Sequence, residues 1–304
     1  MIPPIGLPVN GTIKIMIPPI DYPEAAQKVT PHAGARVGLF EPMRAGALRL
    51  ANRVWLGGIG ACRADEQGAP ADGMLEFYLR RCSAGLMITE PVLAGVGSGL
   101  RSREPRLCEE MPLNSWRALA KGVREQGGRV ALQLWAPDTT QRGQEALAWA
   151  RDLSNVARLG RELGFEAVEW LIPQSWLRRS RELENLLPLA MEATGSGRLA
   201  VRINLNQPLT GNLAGLQVLR SLAADHLAWI RVVCGMDLIR PWEGPLRQWT
   251  DSMRCPLALP ARQSRGKRSP NLEHGGIHAD ALTFGSAFVE NPDLTADLAA
   301  GRWN

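Results

Sequence analysis

Carboxylates are the groups best able to move protons in this chain. It holds only four histidines and two tyrosines, Tyr22 and Tyr78, so general acid–base chemistry falls to Asp and Glu. Glu90 and Glu169 each stand at the end of a short apolar run, where a strand would hand a side chain to a ligand site. Glu90 is the stronger candidate; the structural alternative for it is an ion pair, with Arg202 as the available partner. His274 and His278 are four apart with Glu273 adjoining, a metal-ligand spacing on a helix. Gly275-Gly276 between them opposes a helix, so no metal site is expected. The five cysteines are odd in number, widely spaced and without a Cys-x-x-Cys pair. That pattern fits reduced thiols in a cytoplasmic protein, with Cys62 read as a structural thiol. No Gly-x-Ser-x-Gly elbow, P-loop or His-Glu-x-x-His occurs. The basic run Arg262–Arg268 could meet a phosphate or simply form a solvated loop.

The elements that must position these groups alternate between two periods. Short apolar runs at Arg53–Gly58, Leu86–Glu90, Val130–Leu134, Ala167–Leu171, Leu199–Asn204, Trp229–Cys234, Leu257–Leu259 and Ala281–Phe284 read as strands. Between them lie segments with helical spacing, such as Met74, Phe77, Tyr78 and Arg81, or Trp116, Leu119, Ala120 and Val123. Asn114 is placed to cap the second of these helices and Gly127-Gly128 to end it. Further helices are expected at Asp152–Leu163, Arg181–Ala193, Ala214–Ala224, Pro245–Ser252 and Leu294–Ala300. Eight strand-then-helix units predict an α/β fold, a (β/α)8 TIM barrel over residues 39–304. An open doubly wound sheet is disfavoured, because Gly95-Val-Gly-Ser-Gly99 does not match its glycine fingerprint and follows the second strand.

Residues 1–38 read as a separate, proline-rich arm. Met-Ile-Pro-Pro-Ile occurs at Met1 and again at Met16, and Asn10-Gly11 between them is a hairpin signal. Composition narrows the rest. Of 304 residues, 45 % are hydrophobic and 21 % charged, which suits a folded chain better than a disordered one. The net charge of +5 is modest, and no helix-turn-helix, RNA-recognition or zinc-finger pattern accompanies it, so nucleic acid is not an expected partner. No uninterrupted apolar run is long enough to span a bilayer, and the start lacks the form of a secretory signal.

Six collinear segments resemble the old yellow enzyme family of FMN-dependent ene-reductases and NADH:flavin oxidoreductases. They are Leu39–Met43 with Leu48–Val54, Tyr78–Glu90, Gly127–Trp135, Gly164–Glu169 and Phe284–Leu294. The resemblance implies a barrel with flavin at its C-terminal mouth. It further implies that Gln133 and Arg202 donate hydrogen bonds to the pyrimidine edge of the flavin, with Gly58 at the edge of the first strand beside it. Gly285 and Ser286, helped by Arg262, stand where the family holds the FMN phosphate.

Other family positions are changed. The pair that binds a substrate carbonyl falls on Leu171 and Gln174; leucine cannot donate, so Gln174 is the remaining candidate beside Glu90. The proton-donating tyrosine falls near Trp176, whose indole is no useful acid. Ser286 replaces the phosphate arginine, and the loops above the mouth are short. Trp170, Trp176, Trp242 and Trp249 follow strands and are expected near the mouth.

These departures favour a barrel that has lost standard ene-reduction and with it FMN, a pseudoenzyme serving as a ligand-binding protein, a pathway subunit or an enzyme of altered chemistry. The alternative is a working FMN-dependent NAD(P)H oxidoreductase with an altered substrate site. A structural or assembly role acting through the arm is the third reading. The partners expected are a small molecule at the mouth and a second copy or another protein; a membrane is not expected.

Overall fold

The computed structural model describes residues 38–95, 102–135, 144–172, 176–177, 180–205, 214–223, 226–234, 255–261, 270–274 and 277–302. The arm, the helix expected at Pro245–Ser252, the basic run from Arg262, Gln174, Trp242 and Trp249 lie outside them.

Eight parallel strands close into a ring. In chain order they include β3 (Val54–Leu56), β4 (Leu86–Ile88), β7 (Val130–Trp135) and β8 (Ala167–Ile172). The other half is β9 (Leu199–Leu205), β10 (Leu227–Cys234), β11 (Leu257–Pro260) and β14 (Ala281–Phe284). Each pairs with the next, and β14 pairs back with β3, through Leu282 with Val54; the short strands β5 (Val92–Ala94) and β6 (Arg106–Leu107) extend the sheet beyond the end of β7. This is the expected TIM barrel. The helices α1 (Asp72–Leu79), α2 (Asn114–Glu125), α3 (Gln144–Glu162), α4 (Ser180–Thr194) and α5 (Ala214–Ala223) intervene between strands. Short helices Ser286–Glu290 and Leu294–Ala299 complete the chain.

Helix α2 shows how the local pattern becomes packing. Trp116, Leu119, Ala120 and Val123 are its buried residues, as their spacing requires. Asn114 is not its cap: Leu113 holds that position, and the Asn114 Oδ1 accepts from Arg117 instead (3.4 Å). Gly127, at φ +76°, closes the helix as expected, with its N–H donating to the Arg124 carbonyl. Helix α4 runs through Pro188, which is exposed. His274 and His278 lie on the two short strands β12 (Glu273–His274) and β13 (Ile277–His278), which pair antiparallel. Among the described residues no group of three or more His, Cys, Asp or Glu is arranged to hold a metal.

Two separate apolar clusters form. The larger fills the shell between barrel and helices and includes Val168, Trp170, Ile203 and Leu282. Trp170 therefore faces the helices, contrary to the expectation that it lies near the mouth. Trp176 belongs to the same shell, at 6 % exposure.

The smaller cluster fills the barrel's interior at its N-terminal end. Ala131, Ala167, Ala200, Ala228, Ala258 and Ala281 come from six strands, and these small side chains leave room for a plug. The plug is a hairpin that local patterning did not reveal, β1 (Met43–Ala45) and β2 (Leu48–Leu50). Its Met43, Ala45, Leu48 and Leu50 point inward, while Arg44 and Arg49 are exposed. At the hairpin turn Gly46 has φ +57°, and a Cβ there would sit 2.2 Å from the Gly197 carbonyl oxygen. Backbone on both sides leaves nothing that can rotate away. Gly46→Ala is therefore expected to cost about 1–3 kcal/mol, read as a lowered midpoint in urea unfolding; an unchanged midpoint would mean that the plug repacks freely.

Candidate active site at the barrel mouth

Above the plug the interior turns from apolar to polar. Trp55 and Trp229 form the boundary, their rings edge to face with centroids 5.5 Å apart. The Trp229 indole N–H donates upward to Glu169 Oε2 (3.2 Å). Glu169 is fully buried. It survives there because Arg231 meets it with a forked pair of bonds, Nε to Oε2 at 2.7 Å and Nη2 to Oε1 at 2.5 Å. Gln133 Nε2 adds a further bond to Glu169 Oε1 at 2.6 Å.

The chain of contacts continues toward the C-terminal end of the strands. Gln133 Oε1 accepts from Arg202 Nη1 at 3.0 Å, and Arg202 Nε donates to Asn204 Oδ1 at 2.9 Å. The Gln133 amide has only one orientation that satisfies both neighbours, because Glu169 can only accept and Arg202 can only donate. Gln133, Glu169 and Arg231 are buried, while Arg202 and Asn204 are half-buried. Gln133 and Arg202, both named from sequence, thus come together.

Gly58 lies against this pair. A Cβ at Gly58 would fall 2.4 Å from the Thr89 carbonyl oxygen and 2.9 Å from Gln133 Oε1. The bare backbone is what lets the end of β3 lie flat on the Gln133 amide. Leu171 is half-buried and registers with Arg202 across β8 and β9. Gly285 and Ser286 stand at the end of β14, where the Gly285 Cβ position would be 3.7 Å from Ile59 of the segment after β3.

Glu90 is placed differently from Glu169. It is 1 % exposed, and its Oε2 accepts from the backbone N–H groups of Ala61 (3.0 Å) and Arg63 (3.4 Å). Arg63 Nη1 approaches its Oε1 at 3.8 Å. The partner is thus Arg63, not Arg202. The Glu90 N–H donates to the Tyr78 hydroxyl at 2.7 Å. Cys62, a free and half-buried thiol at φ +51°, lies in the same turn. Arg81 ties the helix Ser286–Glu290 to α1, donating to the carbonyls of Phe288 (2.6 Å) and Val289 (3.1 Å).

The electrostatics follow from these contacts. Burial pushes the Glu169 carboxyl up, but the Arg231 charge, its hydrogen bond, Arg202 and Gln133 together outweigh burial and hold it below the usual range. Burial and the repulsion from Arg231 pull Arg202 down to about 10, against the attraction of Glu169. Arg202 is still protonated at neutral pH. Burial raises the Glu90 and Asp280 carboxyls above their ordinary values.

A pH profile follows. A depressed folded pKa gives Glu169 a stabilising contribution that is present above its ordinary value of 4.5 and lost as pH falls below it. Glu90 and Asp280 act in the opposite sense, since folding disfavours their charged forms; acidification through their raised values relieves that penalty. Urea unfolding between neutral pH and about 3 should show a loss below about 4.5 that is much reduced in Glu169→Gln. Equal loss in both proteins would assign the acid limb to other carboxylates.

Sequence reasoning missed Arg231, Trp229 and Asn204. Asn204 was within reach, being two residues beyond Arg202 on the same strand. Arg231 was obscured by a bulge in β10, discussed below.

Comparison with known proteins agrees with this fold. The model of the NADH:flavin oxidoreductase / NADH oxidase family matches residues 38–163. The chanoclavine-I aldehyde reductase of Penicillium roqueforti is 23 % identical over 84 % of this chain and 87 % of its own. A probable flavin mononucleotide-dependent alkene reductase of Leishmania infantum is 22 % identical over 86 % of this chain and 90 % of its own. Among solved structures, the old yellow enzyme homologue of Zymomonas mobilis superposes with a TM-score of 0.71 at 20 % identity, covering 87 % of this chain and 93 % of that one. Morphinone reductase in complex with tetrahydroNAD gives 0.72 at 20 % identity, covering 88 % and 92 %.

These findings overturn the expectation that the barrel is a pseudoenzyme that has lost redox function. The matched family is one of flavin oxidoreductases, the relatives carry the names of reductases, and the Gln133–Arg202 pair is intact. Among the described residues no helix is long and apolar enough to cross a membrane. The chain is thus similar to the NADH:flavin oxidoreductase / NADH oxidase family over residues 38–163, and to reductases at 22–23 % identity over most of its length.

Proposed function

We propose that this protein is an FMN-dependent NAD(P)H oxidoreductase of the ene-reductase kind, with an altered substrate site. The observation that carries the reading is the hydrogen-bonded pair of Gln133 and Arg202 at the C-terminal end of the barrel. The residues present fit an isoalloxazine ring. Arg202 is a protonated guanidinium without a carboxylate in hydrogen-bond contact among the described residues, and it suits an edge that becomes negative on reduction. Gly58 packs on the Gln133 amide, and a side chain there would push that amide out of place. Bound there, FMN would supply two-electron chemistry, taking electrons from NAD(P)H and passing them to an unsaturated acceptor.

The chain's own residues divide the remaining work. Gln133 and Arg202 bind and orient the pyrimidine edge. Gly285 and Ser286, with Arg262 beyond the described residues, form the phosphate end. Leu171 offers an apolar contact where the related enzymes would polarise a carbonyl, so an acceptor's carbonyl must be held elsewhere; Gln174 is the donor proposed for it. The same loss favours acceptors already electron-poor, which need less help from the protein.

The test is direct. The purified protein is mixed with FMN, desalted, and its visible spectrum recorded; NAD(P)H oxidation is then followed with a series of activated alkenes. A retained flavin band and turnover are expected. A colourless protein that turns over none of them would overturn the reading.

A further inference from the structure

Among the described residues, one hydrogen-bonded network in the upper barrel joins three charged side chains: a carboxylate, Glu169, between two guanidiniums, Arg231 and Arg202. Arg231 meets Glu169 from behind in a forked pair, while Arg202 reaches it only through Gln133. The carboxylate is thus already neutralised, and Arg202 is left as the unbalanced positive charge of this network. Arg231 is 2 % exposed and Glu169 fully buried, so solvent does little to screen the ion pair. A buried pair of this kind is a poor source of stability compared with apolar packing. Its presence calls for another explanation.

We infer that Arg231 is a charge-balancing and positioning residue: by neutralising Glu169 it fixes the Gln133 amide and keeps Arg202 free to face an electron-rich ligand edge at the barrel mouth. The inference deepens the flavin reading above and rests on it. Without Arg231, Glu169 would attract Arg202, the amide between them would lose its fixed orientation, and the mouth would lose its net charge. Without both Arg231 and Glu169, the net charge would return, because Arg202 would again stand unopposed.

Charge counting separates this role from a merely structural one. The variants are Arg231→Met, Glu169→Gln and the double Arg231→Met/Glu169→Gln, and the readout is the midpoint potential of the bound flavin. Relative to the unaltered protein, Arg231→Met should lower the potential and Glu169→Gln should raise it. Each shift should correspond to about a tenfold change in the relative affinity for reduced and oxidised flavin, about 30 mV for a two-electron couple. The double variant should return to the original value. A structural role would leave the double variant at least as far displaced as either single one, and that result, or three unchanged potentials, would overturn the inference. Should Arg231→Met fail to fold, Glu169→Gln and the double variant still carry the test.

If the unaltered protein holds no flavin, the functional reading fails and the charge balance is measured on the empty barrel. Arg202 is then titrated with phenylglyoxal and its modification located by mass spectrometry. Arg231→Met should slow modification of Arg202 about tenfold, as Arg202 turns to Glu169, and the double variant should restore it. Equal rates in all three proteins would overturn the inference independently of flavin.

Discussion

Glu169→Ala should destabilise the protein by about 3–5 kcal/mol. The loss has a single origin. Arg231 is 2 % exposed and directs both Nε and Nη2 to the Glu169 carboxylate. Removing that carboxylate strands a guanidinium inside the barrel, away from water and without an opposite charge. The Trp229 indole and Gln133 Nε2 lose an acceptor in the same step, and these unsatisfied donors are part of that loss. Glu169→Gln should cost less, because its carbonyl oxygen can still accept one of these bonds. Urea unfolding measures both. A Glu169→Ala protein as stable as the original would show that water enters the site and solvates Arg231, and the charge arrangement would then need revision.

Arg202→Leu should have the opposite profile: a small effect on folding and a large one on ligand. Arg202 is half-buried near the mouth, and its bonds go to the neutral oxygens of Gln133 and Asn204. Its loss also removes repulsion with Arg231, which burial makes substantial. Stability should therefore change by less than about 1 kcal/mol. A hydrogen bond to a charged group contributes about 1.5–3 kcal/mol, so FMN affinity should fall about 10- to 100-fold. Fluorescence quenching of FMN gives the dissociation constant and urea unfolding the stability. Unchanged FMN affinity would remove Arg202 from the binding site and with it the main support for the proposed chemistry.

The departures from the family pattern were misleading when read alone, because the changed residues lie outside this hydrogen-bonded network. Leu171 and Ser286 alter groups that would touch a substrate or a phosphate. Neither belongs to the network that sets the charge at the mouth. That network is complete in this chain, from Trp229 through Glu169 and Gln133 to Arg202. On the proposed reading, the loss of peripheral groups changes which acceptor is favoured and leaves this network in place.

Much of the fold was legible because its signals are local. Strands and helices alternate with periods of about 2 and 3.6 residues, so α2 could be drawn with its buried face before any tertiary contact was known. That Gln133 and Arg202 share the mouth was implied by the family resemblance, Gln133 within a matching segment and Arg202 by its place on the fifth strand; the hydrogen bond between them was not expected. The N-terminal hairpin escaped because strands of three residues carry almost no periodic signal; only the six alanines opposite give Leu48 and Leu50 a place to go. Arg231 escaped for a geometric reason. The register of β10 against β9 shifts between Leu227 and Ile230, so both Ala228 and Trp229 join the inner cluster and strict alternation fails there. Its partner Glu169 lies 62 residues earlier in the chain. What the residues determined alone was the order of elements; the groups proposed to bind a flavin edge came from the family resemblance. Which carboxylate neutralises which guanidinium, and hence the charge left at the mouth, was decided only when barrel closure brought distant strands together, because Coulomb energy depends on separation in space and not along the chain.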